Sequence, residues 1–93
     1  MSSCNPIRIA FESDEDTMFE NLKSMIESHN GQMSGNKEQA EIHLEIGSFH
    51  PIKGRISIQN QTVTATITDK GFLPPCSLIS YYVGKSIREF DNA

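Results

Sequence analysis

Cysteine is scarce in this sequence, and the two cysteines form no recognisable motif. Cys4 and Cys76 stand far apart, so the chain has neither a CxxC redox pair nor a set of cysteines for tetrahedral zinc. Because free thiols are the usual state in a reducing cytosol, we expect both cysteines to be unpaired. The P-loop, Gly-x-Ser-x-Gly and Gly-x-Gly-x-x-Gly motifs are also missing, which argues against common nucleotide-binding and serine-hydrolase chemistries.

Basic residues and long apolar runs are also few. Eight Lys and Arg are scattered along the chain against twelve Asp and Glu, which gives a net charge of −4. Broad binding to a phosphate backbone needs clustered cations, so we expect no nucleic-acid partner. No apolar run approaches the ~20 residues of a membrane-spanning helix, and the N-terminus lacks the basic and apolar regions of a signal peptide. We therefore expect a cytoplasmic protein without a transmembrane segment.

The chain does contain alternating apolar and polar residues, which are typical of strands with one buried face. In one such segment Ile42 and Leu44 would point inward, while Glu41 and His43 would point outward. Four segments are predicted as strands: Pro6–Phe11, Ala40–Ile46, Ile52–Ile58 and Thr62–Thr68.

Two further segments have apolar residues at helical spacing. Ser13–Gly31 begins with residues that suit a helix N-terminus and ends at a glycine that suits a left-handed cap. Ser77–Phe90 follows two prolines, and its apolar stripe includes Ile79 and Ile87. The polar segment Gln32–Gln39 between the first helix and the next strand is predicted as a loop.

These elements predict an α+β fold in a single domain over residues 1–93. The order is β-α-β-β-β-α, with a mostly antiparallel four-stranded sheet and two helices packed on its one apolar face. In the meander of the last three strands, a tight turn places Ile58 opposite Val63, and a longer turn places Glu45 opposite Lys53. The pattern leaves open whether the first strand pairs with the second or with the fourth.

The chemistry-bearing side chains do not form a convincing catalytic or metal-binding set. Glu41, His43 and Glu45 would project from one face of a strand, as metal ligands can. The predicted register sets Lys53 and Arg55 against them, however, and cations there would compete with a metal ion. We therefore predict no metal, no cofactor and no catalytic residues, and we do not expect an enzyme; a small hydrolase or metal-dependent enzyme is the least favoured alternative.

An RNA-binding module is an alternative from a different functional class. After the first strand the predicted order is α-β-β-β-α, which is the element order of a double-stranded-RNA-binding domain. Such a domain carries a lysine cluster at the start of its last helix to contact phosphates. This chain has Cys76-Ser77-Leu78 at that place, so the electrostatics argue against the alternative.

From about Phe49 to Phe90 the sequence resembles the small bacterial proteins of the polyhydroxyalkanoic acid system, also described as granule-associated proteins. The resemblance is carried by Gly54-Arg55-Ile56, by the alternating segment Val63–Ile67, by Gly71-Phe72-Leu73 and by Ile87. It implies a cytoplasmic, non-catalytic accessory protein of bacteria. The expected partners are therefore another protein, a second copy of the chain or the surface of a polyester granule.

The stretch around Pro74 and Pro75 is the predicted contact surface. The prolines stiffen the exit from the last strand, and basic residues accompany the apolar ones on the outer side of the closing helix. The predicted surface comprises Phe72, Leu73, Leu78, Tyr81, Lys85 and Arg88. The alternative is structural: Phe72 and Leu73 would only plug the end of the core, and Tyr81 would be a single exposed aromatic residue.

Overall fold

The computed structural model describes residues 4–45, 51–70 and 75–92. Within these ranges the chain forms five strands and two helices in the order β-α-β-β-β-β-α. The elements are β1 (Ile7–Ala10), α1 (Glu15–Ser28), β2 (Gly31–Asn36), β3 (Gln39–Leu44), β4 (Ile52–Gln59), β5 (Thr62–Asp69) and α2 (Cys76–Asp91). The α+β class is confirmed, whereas the prediction of a four-stranded sheet is wrong.

The additional strand is β2, which lies where the sequence predicted a loop. It pairs antiparallel with β3 through a tight turn. The side-chain oxygen of Asn36 closes this turn by accepting hydrogen bonds from the N–H groups of Glu38 and Gln39, each at 3.0 Å. Gly35 has a φ of 108°, which residues with a side chain rarely adopt. Only Met33 of the six β2 residues is buried, so the strand has no alternating pattern by which it could be recognised.

All neighbouring strands are antiparallel, and their order in the sheet is β1-β5-β4-β3-β2. The first strand therefore pairs with the strand at Thr62–Asp69, which answers the question that the sequence pattern left open. β1 and β2 form the two edges, although only α1 separates them in the chain. Helix α1 thus connects one edge of the sheet to the other.

The register of the β4–β5 hairpin agrees with the prediction, because Ile58 lies opposite Val63. The register between β3 and β4 differs from it by two residues. Lys53 lies opposite His43 rather than Glu45, and Arg55 lies opposite Glu41. Because side chains alternate with a period of two, a slip of two residues keeps every side chain on its predicted face.

The core lies between the inner face of the sheet and the two helices. Met18 of α1 and Ile87 of α2 are both fully buried in one apolar cluster. The same cluster contains inner-face residues of the sheet, including Ile58, Val63 and Ala65. This arrangement agrees with the prediction that both helices pack on one face.

Cys4 and Cys76 form a disulfide, so the prediction of two free thiols is wrong. Their Cα atoms lie 5.6 Å apart, although 72 positions separate them in sequence. The backbone explains the proximity, because the N–H group of Cys4 donates a 3.1 Å hydrogen bond to the carbonyl of Ile67 in β5. The segment before β1 thereby reaches the N-terminus of α2, which sequence separation alone could not show.

A carboxylate holds the C-terminal end of α2. Asp91 accepts hydrogen bonds from the backbone N–H groups of Glu12, at 3.0 Å, and Ser13, at 2.8 Å. These hydrogen bonds, chiefly the one from Ser13, lower the pKa of Asp91 below its ordinary value of 3.8. Helix α2 is therefore attached at both ends, by the disulfide at its first residue and by Asp91 at its last.

Candidate functional site

Helix α2 presents a group of exposed apolar side chains. Leu78, Tyr81 and Tyr82 are 41%, 56% and 57% exposed, and they are the exposed large hydrophobic residues of the described part of the chain. Residues three and four positions apart lie on the same side of a helix, so these three side chains are neighbours. The two tyrosine rings meet edge to face, with their centroids 5.5 Å apart. We call these three residues the apolar face of α2.

The opposite side of the helix explains why this face points away from the core. Ile87 is fully buried, and Ile79, Val83 and Phe90 pack against the same core cluster. Gly84 is also buried, and a Cβ atom placed there would lie 3.6 Å from the Cδ1 atom of Ile9 in β1. Such a Cβ atom would be in ordinary van der Waals contact, so the buried glycine marks where the helix lies against the first strand.

Two predicted basic residues follow the apolar face toward the C-terminus of the helix. Lys85 and Arg88 are both exposed, seven positions after Leu78 and Tyr81 respectively. The guanidinium group of Arg88 lies beside Gly84, since its Nη1 atom would be 3.2 Å from a Cβ atom at that glycine. Arg88 therefore lies along the helix, while its charged group remains at the surface.

The structure brings together four of the six residues predicted for the contact surface: Leu78, Tyr81, Lys85 and Arg88. The other two, Phe72 and Leu73, lie outside the described residues, as does most of the corner that they were predicted to form. The question of whether they plug the end of the core is therefore not tested. Tyr82 was not among the residues predicted for this surface. Its position four residues after Leu78 was the signal that places it on the outer face.

The N-terminal half of α2 is less deeply buried than the C-terminal half, although Ile79 and Val83 pack against the core. Every residue from Cys76 to Val83 is half-buried or exposed, and the first fully buried positions are Gly84 and Ile87. Pro75 at the N-cap makes no side-chain capping hydrogen bond. The disulfide at Cys76 is therefore the covalent support of the turn that carries the apolar face.

The outer face of the sheet does not assemble the metal ligands considered from the sequence. The Nε2 atom of His43 lies 3.9 Å from a carboxylate oxygen of Glu45, whereas Lys53 and Arg55 face His43 and Glu41 across the ladder. Within residues 4–45, 51–70 and 75–92, no group of three or more His, Cys, Asp or Glu side chains is arranged to hold a metal ion. No helix in these ranges is both long and apolar enough to cross a bilayer.

The element order that suggested an RNA-binding module is not observed. Strand β2 inserts a fourth strand between the helices, so the order after β1 is α-β-β-β-β-α. The start of α2 carries Ser77 and Leu78 rather than a lysine cluster. The observed topology therefore differs from that of a double-stranded-RNA-binding domain.

Comparison of the chain with protein-family models, curated proteins and solved structures found no match. The resemblance to proteins of the polyhydroxyalkanoic acid system thus stays a prediction. Gly54-Arg55-Ile56 lies in β4, Val63–Ile67 in β5 and Ile87 in α2. Gly71-Phe72-Leu73 lies outside the described residues.

Proposed function

We propose that this protein is a non-catalytic accessory protein that binds to the surface of a polyester granule through the apolar face of α2. The observation that carries the proposal is the clustering of Leu78, Tyr81 and Tyr82 on one side of one helix. Exposed apolar residues are ordinary when they are scattered, but adjacent ones mark interaction surfaces.

The chemistry of this face suits a boundary between water and an apolar phase. Tyrosine combines an apolar ring with a hydroxyl group that donates and accepts hydrogen bonds, and its side chain has few rotatable bonds to order on binding. Lys85 and Arg88 extend the face with cations whose aliphatic stems can lie along an apolar surface. An amphipathic helix of this kind binds parallel to an interface.

A polyester granule is the proposed partner because its surface matches both parts of the face. Polyester chains present apolar methylene and alkyl groups together with ester carbonyls, which accept hydrogen bonds from tyrosine, lysine and arginine. The resemblance of the sequence from about Phe49 to Phe90 to granule-associated proteins supports the same choice. A second copy of the chain, or another protein, would cover the same three side chains without needing the ester carbonyls.

Co-sedimentation with amorphous polyhydroxybutyrate particles tests the proposal. The double variant Leu78→Ser and Tyr81→Ser should remain folded but bind at least about tenfold more weakly, since burying each half-exposed side chain contributes roughly 1 kcal/mol. Lys85→Gln should weaken binding less, and Lys23→Gln in α1 is the matched control that should bind like the wild type. Unchanged binding of the folded double variant would remove α2 as the contact surface.

Two further measurements separate the competing partners. Sedimentation velocity of the wild type shows whether the chain self-associates, and the same double variant shows whether the apolar face is responsible. A gel shift with duplex RNA at low salt tests the RNA-binding alternative, because phosphate contacts are strongest under that condition. Association of copies without any binding to polyester would assign the face to a dimer instead.

The proposed location is the cytoplasm, where such granules form. The Cys4–Cys76 disulfide weighs against a permanently reducing environment, because disulfides persist mainly in oxidising compartments. Trapping thiols in intact cells, followed by a count of modified cysteines, measures the state of this pair directly. Protection of both cysteines would show that the disulfide is present in the cell and would contradict a location in a reducing cytosol.

A further inference from the structure

A second surface lies on the opposite side of the sheet from the helices. The outer face carries polar side chains from all five strands, and a cleft of about 310 Å³ opens over β2, β3 and β4. This volume lies at the lower end of the range of small-molecule sites. The cleft is lined by Gln32, Ser34, Glu41, His43, Lys53 and Arg55, together with residues of the β4–β5 ladder.

Neither cation of this cleft is held in an ion pair within the part of the chain that the structure describes. Lys53 and Arg55 are exposed, and alternate residues of one strand place their side chains on the same face about 7 Å apart. No ion pair joins either cation to a carboxylate in the described part of the chain, although Arg55 lies directly opposite Glu41 and Lys53 opposite Asp69. Lys37, in contrast, does form ion pairs, because its Nζ atom lies 3.5 Å from Oε1 of Glu15 and 3.2 Å from Oδ1 of Asp16.

The backbone is irregular where the two cations project. The register between β4 and β5 shifts between Lys53 and Gly54, so that Thr68 is the extra residue on the β5 side. The hydroxyl group of Thr68 donates a 3.2 Å hydrogen bond to the carbonyl of Lys53 and holds the bulge. Gly54 is required there, because a Cβ atom would clash with the carbonyl oxygen of Thr66. Bulges are frequent beside binding sites, where they redirect a side chain.

We propose that this cleft binds a small organic anion. Its carboxylate or phosphate group accepts hydrogen bonds from Arg55 and Lys53, and a guanidinium group can bind either kind of anion with two parallel N–H donors. Glu41 lines the same cleft and carries a negative charge, so it selects a ligand with a hydroxyl group that donates to it. Ser34 and Gln32 supply further polar contacts at the β2 edge. The ligand is therefore a hydroxylated carboxylate or a phosphate ester, and it binds independently of α2.

An NMR titration of the ¹⁵N-labelled protein with sodium citrate and, separately, with sodium phosphate tests the proposal at constant ionic strength. The backbone amide signals of residues 41–43, 53–55 and 68 should shift with added probe and reach saturation. This should happen with both probes, or with the one whose chemistry the ligand shares. Arg55→Gln and Lys53→Gln should each weaken the binding at least about tenfold, which corresponds to the loss of one charge-assisted contact. Lys23→Gln in α1, on the helix side, is the matched control and should bind like the wild type.

Three results would overturn the proposal. Linear shifts without saturation, spread over all basic residues, would indicate only general screening of charge. A folded Arg55→Gln variant with unchanged affinity would show that the cleft is not used. Duplex RNA that binds through Lys53 and Arg55 more tightly than either probe would assign the cations to a nucleic acid. None of these results depends on Leu78, Tyr81 or Tyr82, so the polyester-binding proposal stands or fails separately.

Discussion

Gln61 shows how a single residue connects three parts of this fold. Its φ is 58°, and its N–H group donates a 2.9 Å hydrogen bond to the carboxylate of Glu15 in α1. Its side-chain amide donates to the carbonyl oxygens of Phe11 and Ser13, at 3.2 and 2.8 Å. The β4–β5 turn is thereby attached to the junction between β1 and α1. The sequence indicated a tight turn here, but it gave no sign of the hydrogen bonds across to α1.

Replacing this side chain should therefore destabilise the protein without changing the turn. Gln61→Ala removes two hydrogen bonds and keeps the unfavourable positive φ, so we expect the free energy of unfolding to fall by about 1–2 kcal/mol. Gln61→Gly removes the same hydrogen bonds but relieves the backbone, so its loss should be smaller. Urea unfolding measures both, and a Gly variant less stable than the Ala variant would contradict this explanation.

The contribution of Asp91 to the stability of the fold depends on pH. Because its pKa is lowered in the folded protein, this group stabilises the fold at pH values above its ordinary pKa of 3.8, and the contribution is lost as the pH falls through the lower folded value. Asp91→Asn removes this titration. The wild type should therefore lose more stability than Asp91→Asn between pH 6 and pH 3, as measured by the urea midpoint. Parallel losses in the two proteins would show that the hydrogen bonds to Glu12 and Ser13 do not form in solution.

Among the elements, α2 has a buried side, where truncating a side chain should destabilise the fold, and an exposed side, where it should not. Ile87 is fully buried, and truncating such a side chain costs about 2–5 kcal/mol because a cavity remains. Ile87→Ala should lower the free energy of unfolding by an amount in this range. Tyr82→Ala is the control on the exposed side and should change stability by no more than about 0.5 kcal/mol. Equal losses in the two variants would mean that the apolar face of α2 is packed rather than free.

The elements also show which features a sequence pattern can reveal. Strands with a clear period of two and helices with a marked apolar stripe were predicted within a few residues of their observed bounds. β2 was missed because its residues form a strand by pairing with β3 rather than by burying an alternating face. The β3–β4 register was misjudged by two residues because the alternating pattern is unchanged by such a slip. The buried side of α2 followed from helical spacing, and the same spacing from Leu78 would have placed Tyr82 on the outer face.

For the whole molecule, the disulfide joins the start of the described chain to the first residue of α2. It closes a loop of 72 positions, and the chain-entropy model assigns about 4 kcal/mol of stability to a loop of that length. This is a large share of the stability of a domain of this size, which is of the order of 5–10 kcal/mol. The position of Cys76 at the start of α2 makes the same bond a support for the apolar face of α2.

Removing the disulfide should therefore lower the stability of the whole fold and loosen the N-terminal half of α2. Cys4→Ser with Cys76→Ser should lower the free energy of unfolding by about 4 kcal/mol. Hydrogen exchange of the N-terminal half of α2 should accelerate more than exchange around Ile87, because that half is less deeply buried and carries the disulfide. Adding a reductant to the wild type should reproduce both effects. An unchanged urea midpoint in reductant would show that the bond does not stabilise the fold.

The molecule thus has two surfaces that face in opposite directions, the apolar face of α2 and the polar cleft on the sheet. The apolar face of α2 is the surface that we propose contacts the polyester. Tyr81 and Tyr82 are the only tyrosines of the chain, which contains no tryptophan, so tyrosine fluorescence reports on this face alone. Acrylamide quenching of that fluorescence, with and without polyhydroxybutyrate particles, is the most direct measurement. Strong protection of the bound protein from quenching is the predicted result, and bound protein with unchanged quenching would contradict the account.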